Sequence, residues 1–466
     1  MRITRICVSN LFGMFNHEIT LNAAERVTII IGPNGFGKTT ILRLINSLVI
    51  GDINTLYTTP FDELEIEFSD LSSLSLTRKL KNNKSGINDF SLELTYKDIL
   101  NPEKHFDLLD FLAIRSPGVS YSSLEEINQD PDFSYFRLRE REVVENSNIF
   151  DMYRRIVGGT FDEKSSSPWT NRLLRRLIND KDFQNKFNEL DEIVRKIRVH
   201  FTTTQRLLRN SVKDRYGESR IQNPVVKEYS DDLSKQIEMT LARAMQHAQD
   251  IDSSFPKRIT NNLKRPPKPI DMKKLYRELE ELDSKRSKLR NTGLFLELGD
   301  DLGVKEEVIA QDRINLIGSV LKEYIKDTQE KFRDFDELVS KLELLKGIIN
   351  DRFIFKTFEI TKENGFIVKN SQNEVIPVDR LSSGEQQELV MFYEFLFKVP
   401  KDSILLIDEP ELSLHIDWQQ KFLKDLLEVA KLVGFDVLIA THSPAVINHY
   451  WDLTVDLGEE GQHGWS

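Results

Sequence analysis

Cysteine is almost absent from this sequence: Cys7 is the one thiol in 466 residues. No disulfide can form within the chain, which suits a reducing compartment. Cys7 stands in RITRICVSN, a strand-like stretch where a buried structural thiol is the expectation. Long apolar runs are missing too. No stretch reaches the about 18 apolar residues of a membrane helix, and the N-terminus lacks the apolar core of a secretory leader. A cytoplasmic location without a membrane partner is therefore expected. Basic excess is also lacking, with 64 Lys+Arg against 75 Asp+Glu and a net charge of −11. That excludes a surface basic throughout, though not a local nucleic-acid groove. The eight histidines are scattered, and no H-E-x-x-H, HNH-like or cysteine-pair metal pattern is found.

What is present is a glycine loop between a strand and a helix. Residues 32–40 read GPNGFGKTT, after the apolar run RVTIII and before ILRLINSLVI. Gly32, Gly37, Lys38 and Thr39 satisfy G-x-x-x-x-G-K-[ST], and Pro33, Asn34, Gly35, Phe36 and Thr40 complete the loop. Glycines let successive backbone N–H groups curl round a phosphate, and the helix N-terminus adds partial positive charge. Lys38 is placed to reach the β- and γ-phosphates, and Thr39 to ligate Mg²⁺.

The chain changes character along its length. The first 100 residues are β-rich around the loop: RITRICV, HEITL, ERVTIII, ELEIEFS, LSLTRKL and SLELTY alternate or run apolar. Residues 101–190 mix Pro, Ser and Asn with helical pieces, and EIVRKIRVHFTTTQRLL looks like a helix running into a strand. Between 225 and 350, apolar residues recur at steps of three and four. The longest series runs Ile317, Leu321, Tyr324, Thr328, Phe332, Phe335, Val339, Leu342, Leu345, Ile349. Such runs predict long helices packed coiled-coil style. FPKRITNNLKRPPKPID (255–271) holds four prolines and is expected to break them, giving an antiparallel helical hairpin. The stretch 256–277 gathers Lys257, Arg258, Lys264, Arg265, Lys268, Lys273, Lys274 and Arg277 around one acid, Asp271. It reads either as a solvated tip or as a phosphate-backbone contact. After residue 352 a β/α pattern returns.

Three further motifs follow. SILLIDEPELSLH (403–415) is an apolar strand ending in Asp408 and Glu409. An acid at such a tip can hold Mg²⁺, and a second can orient or activate a water. RLSSGEQQELVMFYEFL (380–396) is a glycine-centred turn opening a helix, where Ser382, Ser383, Gly384 and Glu385 form a further anion site or simply a good N-cap. FDVLIATHSPAVI (435–447) is a strand followed by His442, which in this company suggests a γ-phosphate contact.

In this order the motifs resemble the ABC-type ATPases of the SMC-like and OLD-like branch. The resemblance implies an α/β P-loop ATPase head with an antiparallel β subdomain and an inserted α-helical hairpin, using ATP and Mg²⁺. It aligns Gly32 to Thr40 with Walker A, Ser382 to Glu385 with the signature, and Asp408 and Glu409 with Walker B and the catalytic acid. PELSLH (410–415) falls at the D-loop, His442 at the H-switch, and Gln205 in HFTTTQRLL at the Q-loop glutamine, a further Mg²⁺ contact. The signature reads LSSGE where the family has LSGGQ. The implied organisation is an N-terminal lobe over 1–210, a helical insertion over 211–350 and a C-terminal lobe over 351–466.

The family dimerises head to tail, with the signature of one subunit capping the γ-phosphate on the P-loop of the other. The form of TQRL and DEPELSLH is further similar to the PtuA-like ATPase subunits of Septu and retron-associated anti-phage systems. Those assemble beyond the dimer and work with a separate HNH nuclease. The 24 residues after His442 fall short of the on the order of 100 that a metal-dependent nuclease domain needs, so any nuclease chemistry is expected from another polypeptide. DNA is a further candidate partner. Two alternatives stand beside this reading: an SMC-like repair ATPase that clamps DNA, and a slow-turnover nucleotide-bound scaffold. The P-loop assignment carries a direct expectation. Lys38→Ala removes the cation facing the β/γ-phosphates and should abolish ATP binding; unchanged affinity in a fluorescent-nucleotide titration would refute it.

Overall fold

The structure is a computed structural model that describes residues 1–81, 89–99, 103–108, 181–202, 225–264, 271–291 and 314–460. In chain order the elements are β1 (Ile3–Leu11), β2 (Phe15–Thr20), β3 (Val27–Ile31), α1 (Lys38–Ile50), α2 (Ile53–Thr58), β4 (Glu63–Phe68), β5 (Ser73–Lys81), β6 (Asp89–Lys97) and β7 (Lys104–Asp107). There follow α3 (Lys181–Lys196), β8 (Val199–Thr202), α4 (Val225–Leu263), α5 (Met272–Asn291), α6 (Ile314–Arg352), β9 (Lys356–Thr361), β10 (Gly365–Asn370), β11 (Val375–Ile376) and α7 (Ser383–Phe397). The last are β12 (Ile404–Asp408), α8 (Ile416–Val433), β13 (Asp436–Ala440), α9 (Pro444–Ile447), β14 (Thr454–Asp456) and α10 (Leu457–Glu460). Two compact units divide them: one from 1–222 and 398–466, the other from 223–397.

The first unit holds two sheets. Five strands form a parallel sheet in the order β14-β3-β13-β12-β8. Val27–Ile31, Ile404–Asp408 and Asp436–Ala440 are mostly apolar and almost wholly buried because both faces of such a sheet are covered. Each run ends at the same edge, since the register pairs Ile30 with Ala440 and Asp408 with Ala440. Six strands form an antiparallel sheet, β2-β1-β4-β5-β6-β7, whose alternation puts Ile3, Ile6, Val8, Leu64, Ile66, Leu74 and Leu76 into the core. The helix-into-strand reading of 192–208 is seen as α3 followed by β8. Cys7 lies in β1, half-buried, and burial pushes its thiol up to about 11, so it is a poor nucleophile.

The second unit is built on α4, α5 and α6. The step-of-three-and-four series is its seam: Leu275, Leu279, Leu282, Leu289, Ile325, Phe332, Phe335 and Val339 form one cluster with Ala244. The steps of three and four are realised as α4, α5 and α6, and α4 and α6 run antiparallel as a hairpin requires: His247, Asp252 and Arg258 meet Asp334, Lys331 and Asp327 in turn. One expectation is corrected. Pro256 does not break its helix, for α4 continues to Leu263. A proline inside a helix costs about 3 kcal/mol, and here the turn around it is held from outside. Arg258 donates to Asp327 at 2.6 Å, to Glu323 at 2.8 Å and back to the Ile251 carbonyl at 3.1 Å. The side-chain bond to Asp327 raises the guanidinium's pKa. Arg258 therefore leaves the set of free basic residues. Arg286, which interrupts the apolar series of α5, donates to the Tyr324 hydroxyl at 2.6 Å within the same seam.

The division into units also departs from the boundaries at 210/211 and 350/351. Residues 351–397 belong with the helices because the β9–β10–β11 sheet and α7 pack on α4 and α6. Arg352, the last residue of α6, forms a fully buried ion pair with Glu388 of α7 at 3.3 Å. Burial of such a pair favours keeping both partners or neither. Among the described residues, no helix is long and apolar enough to cross a membrane.

Gly365 locks the β9–β10 turn onto α4. Its φ is 62°, and a Cβ there would overlap the Ser230 carbonyl oxygen. The Ser230 hydroxyl bonds the same turn, donating to the Asn364 carbonyl at 2.7 Å and accepting from the Phe366 N–H at 2.8 Å. Gly365→Ala should cost about 2 kcal/mol or more through strain and displacement. Denaturant unfolding reads this directly, and parent-like stability would refute the close approach.

Candidate functional site: a phosphate loop, two acids and a histidine at one sheet edge

The loop after β3 holds Gly32 to Gly37, and Lys38, Thr39 and Thr40 open α1. Gly37 caps this helix at φ 90°, where a Cβ would run into the Leu11 side chain. Strand β2 braces the loop further. His17 lies 2.8 Å from the Phe36 carbonyl through Nε2, and the Phe15 and Phe36 rings stand 4.7 Å apart. Burial lowers the His17 pKa against the pull of that backbone bond, so the ring is neutral and acts as a donor to the loop.

Lys38 is 5 % exposed and donates to the carbonyls of Gly32 at 2.8 Å and Pro33 at 2.9 Å. Burial lowers its pKa, against the opposing fields of Glu409, Asp408, Glu411 and Asp456. Thr39 Oγ1 donates to Asp408 Oδ1 at 2.9 Å. Burial pushes the Asp408 carboxyl up, and the Thr39 bond with the charges of Arg43 and Lys38 recovers only part of that cost. A carboxylate, a hydroxyl and a lysine are thus held together where acids outnumber the lysine.

Glu409 follows in a left-handed conformation, φ 46° and ψ 59°, which costs a non-glycine residue about 1 kcal/mol or more. Its N–H donates to the Ala440 carbonyl at 2.8 Å, so the kink is fixed from the neighbouring strand. His442 is exposed just beyond β13, its N–H bound by Glu411 Oε1 at 2.9 Å. The three expected motifs therefore meet at one edge. Sequence reasoning missed Glu411, Gln419, Asp456 and His17, which declare themselves only through their spatial partners.

Ser382 to Glu385, expected as the signature, lie in the second unit. Ser382 N–H and Oγ both bond Glu385 Oε2 at 2.9 Å, a reciprocal cap of α7. Lys356 contacts both Glu385 oxygens at 2.7 and 2.8 Å. Burial raises the Glu385 pKa, but the bonds from Lys356 and Ser382 outweigh it and leave the carboxyl below its usual range. Ser382 and Ser383 are exposed, Gly384 and Glu385 partly so. Gln205 lies outside the described residues, as do Arg265, Lys268 and the helical pieces expected over 109–180.

The residues present fit Mg²⁺. Thr39 and Asp408 supply hard oxygens, and the incompletely compensated Asp408 charge calls for a cation. Among the described residues no cluster of three or more His, Cys, Asp or Glu could hold a metal unaided. Mg²⁺ does not require one, since it is commonly held by one or two carboxylates plus phosphates and water.

A P-loop beside an acid-tipped parallel strand, with a separate signature helix and long packed helices, defines a P-loop ABC-type ATPase head. The chain belongs to the AAA ATPase domain family, whose model matches residues 1–447. It is 36% identical over 85 residues to the UvrABC system protein A of Chlamydia pneumoniae, a match covering 18% of this chain and 4% of that relative's length. Among solved structures it is similar to the Smc head domain with an extended coiled coil from Pyrococcus furiosus, at 13% identity and TM-score 0.31, covering 96% of this chain and 91% of that one. The SMC head domain from Thermotoga maritima gives 12%, 0.30 and the same coverage.

Asp408 carries a consequence for stability. Because its folded pKa lies above the unfolded one, the ionised carboxylate costs the nucleotide-free fold stability above the ordinary carboxylate range. That cost fades as falling pH protonates the group. Asp408→Asn without nucleotide should melt higher than the parent at about pH 7, with the margin closing toward about pH 4. A margin that is absent at neutral pH, or that grows in acid, would contradict the charge balance described.

Proposed function

We propose that this chain binds and hydrolyses ATP, dimerises head to tail around it, and controls a separate HNH-type nuclease in a bacterial anti-phage complex, in the manner of the PtuA subunits of Septu. The observation that carries the ATPase part is the 2.9 Å bond between Thr39 and Asp408. It brings two Mg²⁺-ligand types together beside Lys38 and Glu409. In this reading Thr39 and Asp408 hold Mg²⁺, with Gln205 as a further contact. Held there, Mg²⁺ would offset the charge of the phosphates. Lys38 leaves the Gly32 and Pro33 carbonyls and donates to the phosphates. Glu409 orients the attacking water or takes its proton, and His442 contacts the γ-phosphate.

The exposure of Ser382 and Ser383 at the start of α7 supports a role in trans, because an accessible helix N-terminus suits the γ-phosphate of a second copy. Loss of that phosphate on hydrolysis removes the contact and opens the dimer. The defence role, the nuclease partner, assembly beyond the dimer and a cytoplasmic location rest on the resemblance of the motifs. DNA remains a candidate partner, supported by the exposed Lys257, Lys264, Lys273, Lys274 and Arg277 near the facing ends of α4 and α5.

Glu409→Gln keeps the side-chain shape and removes the base. It should bind ATP like the parent, turn over roughly 100-fold more slowly, and shift to dimer mass in light scattering when ATP is added. Parent-like turnover would remove Glu409 from its role, and a mass indifferent to ATP would remove the trans dimer. The nuclease assignment is tested separately, by whether an HNH nuclease encoded beside this chain co-elutes with it.

A further inference from the structure

Both carboxylate oxygens of Glu411 are engaged by the segment that carries His442. Oε2 accepts from the Thr441 hydroxyl at 2.8 Å, and Oε1 from the His442 N–H at 2.9 Å. Thr441 is fully buried, and its Oγ1 in turn accepts from the Ser443 N–H at 3.0 Å. A second strut runs alongside. Gln419 of α8 donates to the carbonyls of Glu411 and Leu414, each at 3.2 Å, and its Oε1 accepts from the Ser443 hydroxyl at 2.9 Å. The short helix Pro410–Ser413 and the loop 441–443 are therefore tied twice. Glu409 stands at one end of this bridged body, held by the Ala440 carbonyl, and His442 at the other.

We propose that Glu411 is a positioning residue for ATP hydrolysis that acts through His442, fixing the histidine's main chain at a set offset from Glu409 by hydrogen-bond geometry rather than by charge. This rests on the ATPase reading of the site. A role as base or metal ligand would need an oxygen turned toward the nucleotide. Here each oxygen accepts a bond from the histidine segment. A misplacement of about 1 Å at a catalytic group can cost on the order of 100-fold in rate, so a residue that sets the spacing of Glu409 and His442 can matter without touching substrate.

Geometry and charge are separable because glutamine can keep both contacts. The carboxamide oxygen of Glu411→Gln accepts from the His442 N–H, and its NH₂ donates to Thr441 Oγ1 once the hydroxyl turns. Glu411→Ala loses both bonds, and Thr441→Val loses one with little change in volume. The experiment measures kcat for ATP and the ATP dissociation constant on full-length protein. Glu411→Ala should lower kcat about tenfold or more with affinity within about twofold, and Glu411→Gln should stay within about threefold of the parent. Thr441→Val should fall between them and keeps the test valid if Glu411→Ala does not fold. The double variant His442→Ala/Glu411→Ala should match His442→Ala within about twofold, since a residue acting through another shows no independent effect. Equal damage from Gln and Ala would overturn the proposal by assigning the role to charge. Multiplying effects in the double variant, or a loss confined to ATP affinity, would overturn it too. Glu409→Gln is run in parallel: parent-like turnover there removes the ATPase reading itself, whereas a normal loss there with a silent Glu411→Ala removes only the role of Glu411.

Discussion

One hydrogen bond joins a hydroxyl and a carboxylate that stand 369 positions apart: Thr39 to Asp408. The first unit is arranged so that this bond can form. Thr39 is placed by a glycine loop whose Gly37 takes a φ of 90° and sits where a Cβ would press on Leu11. Asp408 is placed by a strand apolar on both faces, so that only its last residue can be polar. Between their strands lies β13, which delivers His442 to the same edge. Sheet order thus converts three remote stretches into one polar rim on an otherwise apolar layer, at the carboxyl ends of parallel strands where such sheets bind ligands.

That rim is poorly balanced in charge, and the imbalance is informative. Burial pulls Lys38 down and pushes Asp408 up, although the two groups attract each other. A structural ion pair would be arranged to avoid both costs. Opposed shifts of this kind are characteristic of sites built for a charged ligand that the protein alone does not provide. The left-handed backbone at Glu409 points the same way, because strain persists where the surroundings over-determine it. Here the Ala440 carbonyl and the Glu411 bridge supply that constraint.

The motifs around this edge were legible in sequence because each is a local pattern: glycines and a lysine at fixed spacing, an apolar strand ending in two acids, a strand ending in histidine. Most strands of both sheets were legible from alternation or unbroken apolar runs, β7 and β14 excepted, and the long helices from steps of three and four. What failed did so for reasons that lie between elements. Pro256 reads as a breaker until Arg258 is seen clamped to Asp327 across the seam. The boundary near residue 350 reads as a return to the head because β-patterning resumes there. Arg352 and Glu388, buried against each other, tie α6 to α7, and β9 and β10 pack on α6 and α4 in the same unit. Glu411 was legible only as part of the stretch 410–415, because an acid in a short turn has no role of its own until both of its hydrogen-bond donors are known.

The signature segment illustrates how one residue change alters a local electrostatic problem. A glutamate in the first turn of α7 stabilises the helix by its charge and caps it through Ser382, yet it also places a negative group beside donors suited to an anion. Lys356 resolves the conflict by contacting both carboxylate oxygens. The pair is close to neutral in net charge, and the acid stays ionised because the lysine and Ser382 bonds outweigh its burial. Glu385 is therefore not a lone negative group at the start of α7, and Lys356 forms one charge unit with residues 382–385. The cation comes from the start of β9, outside the motif itself, so the glutamate can be interpreted only together with the strand that neutralises it.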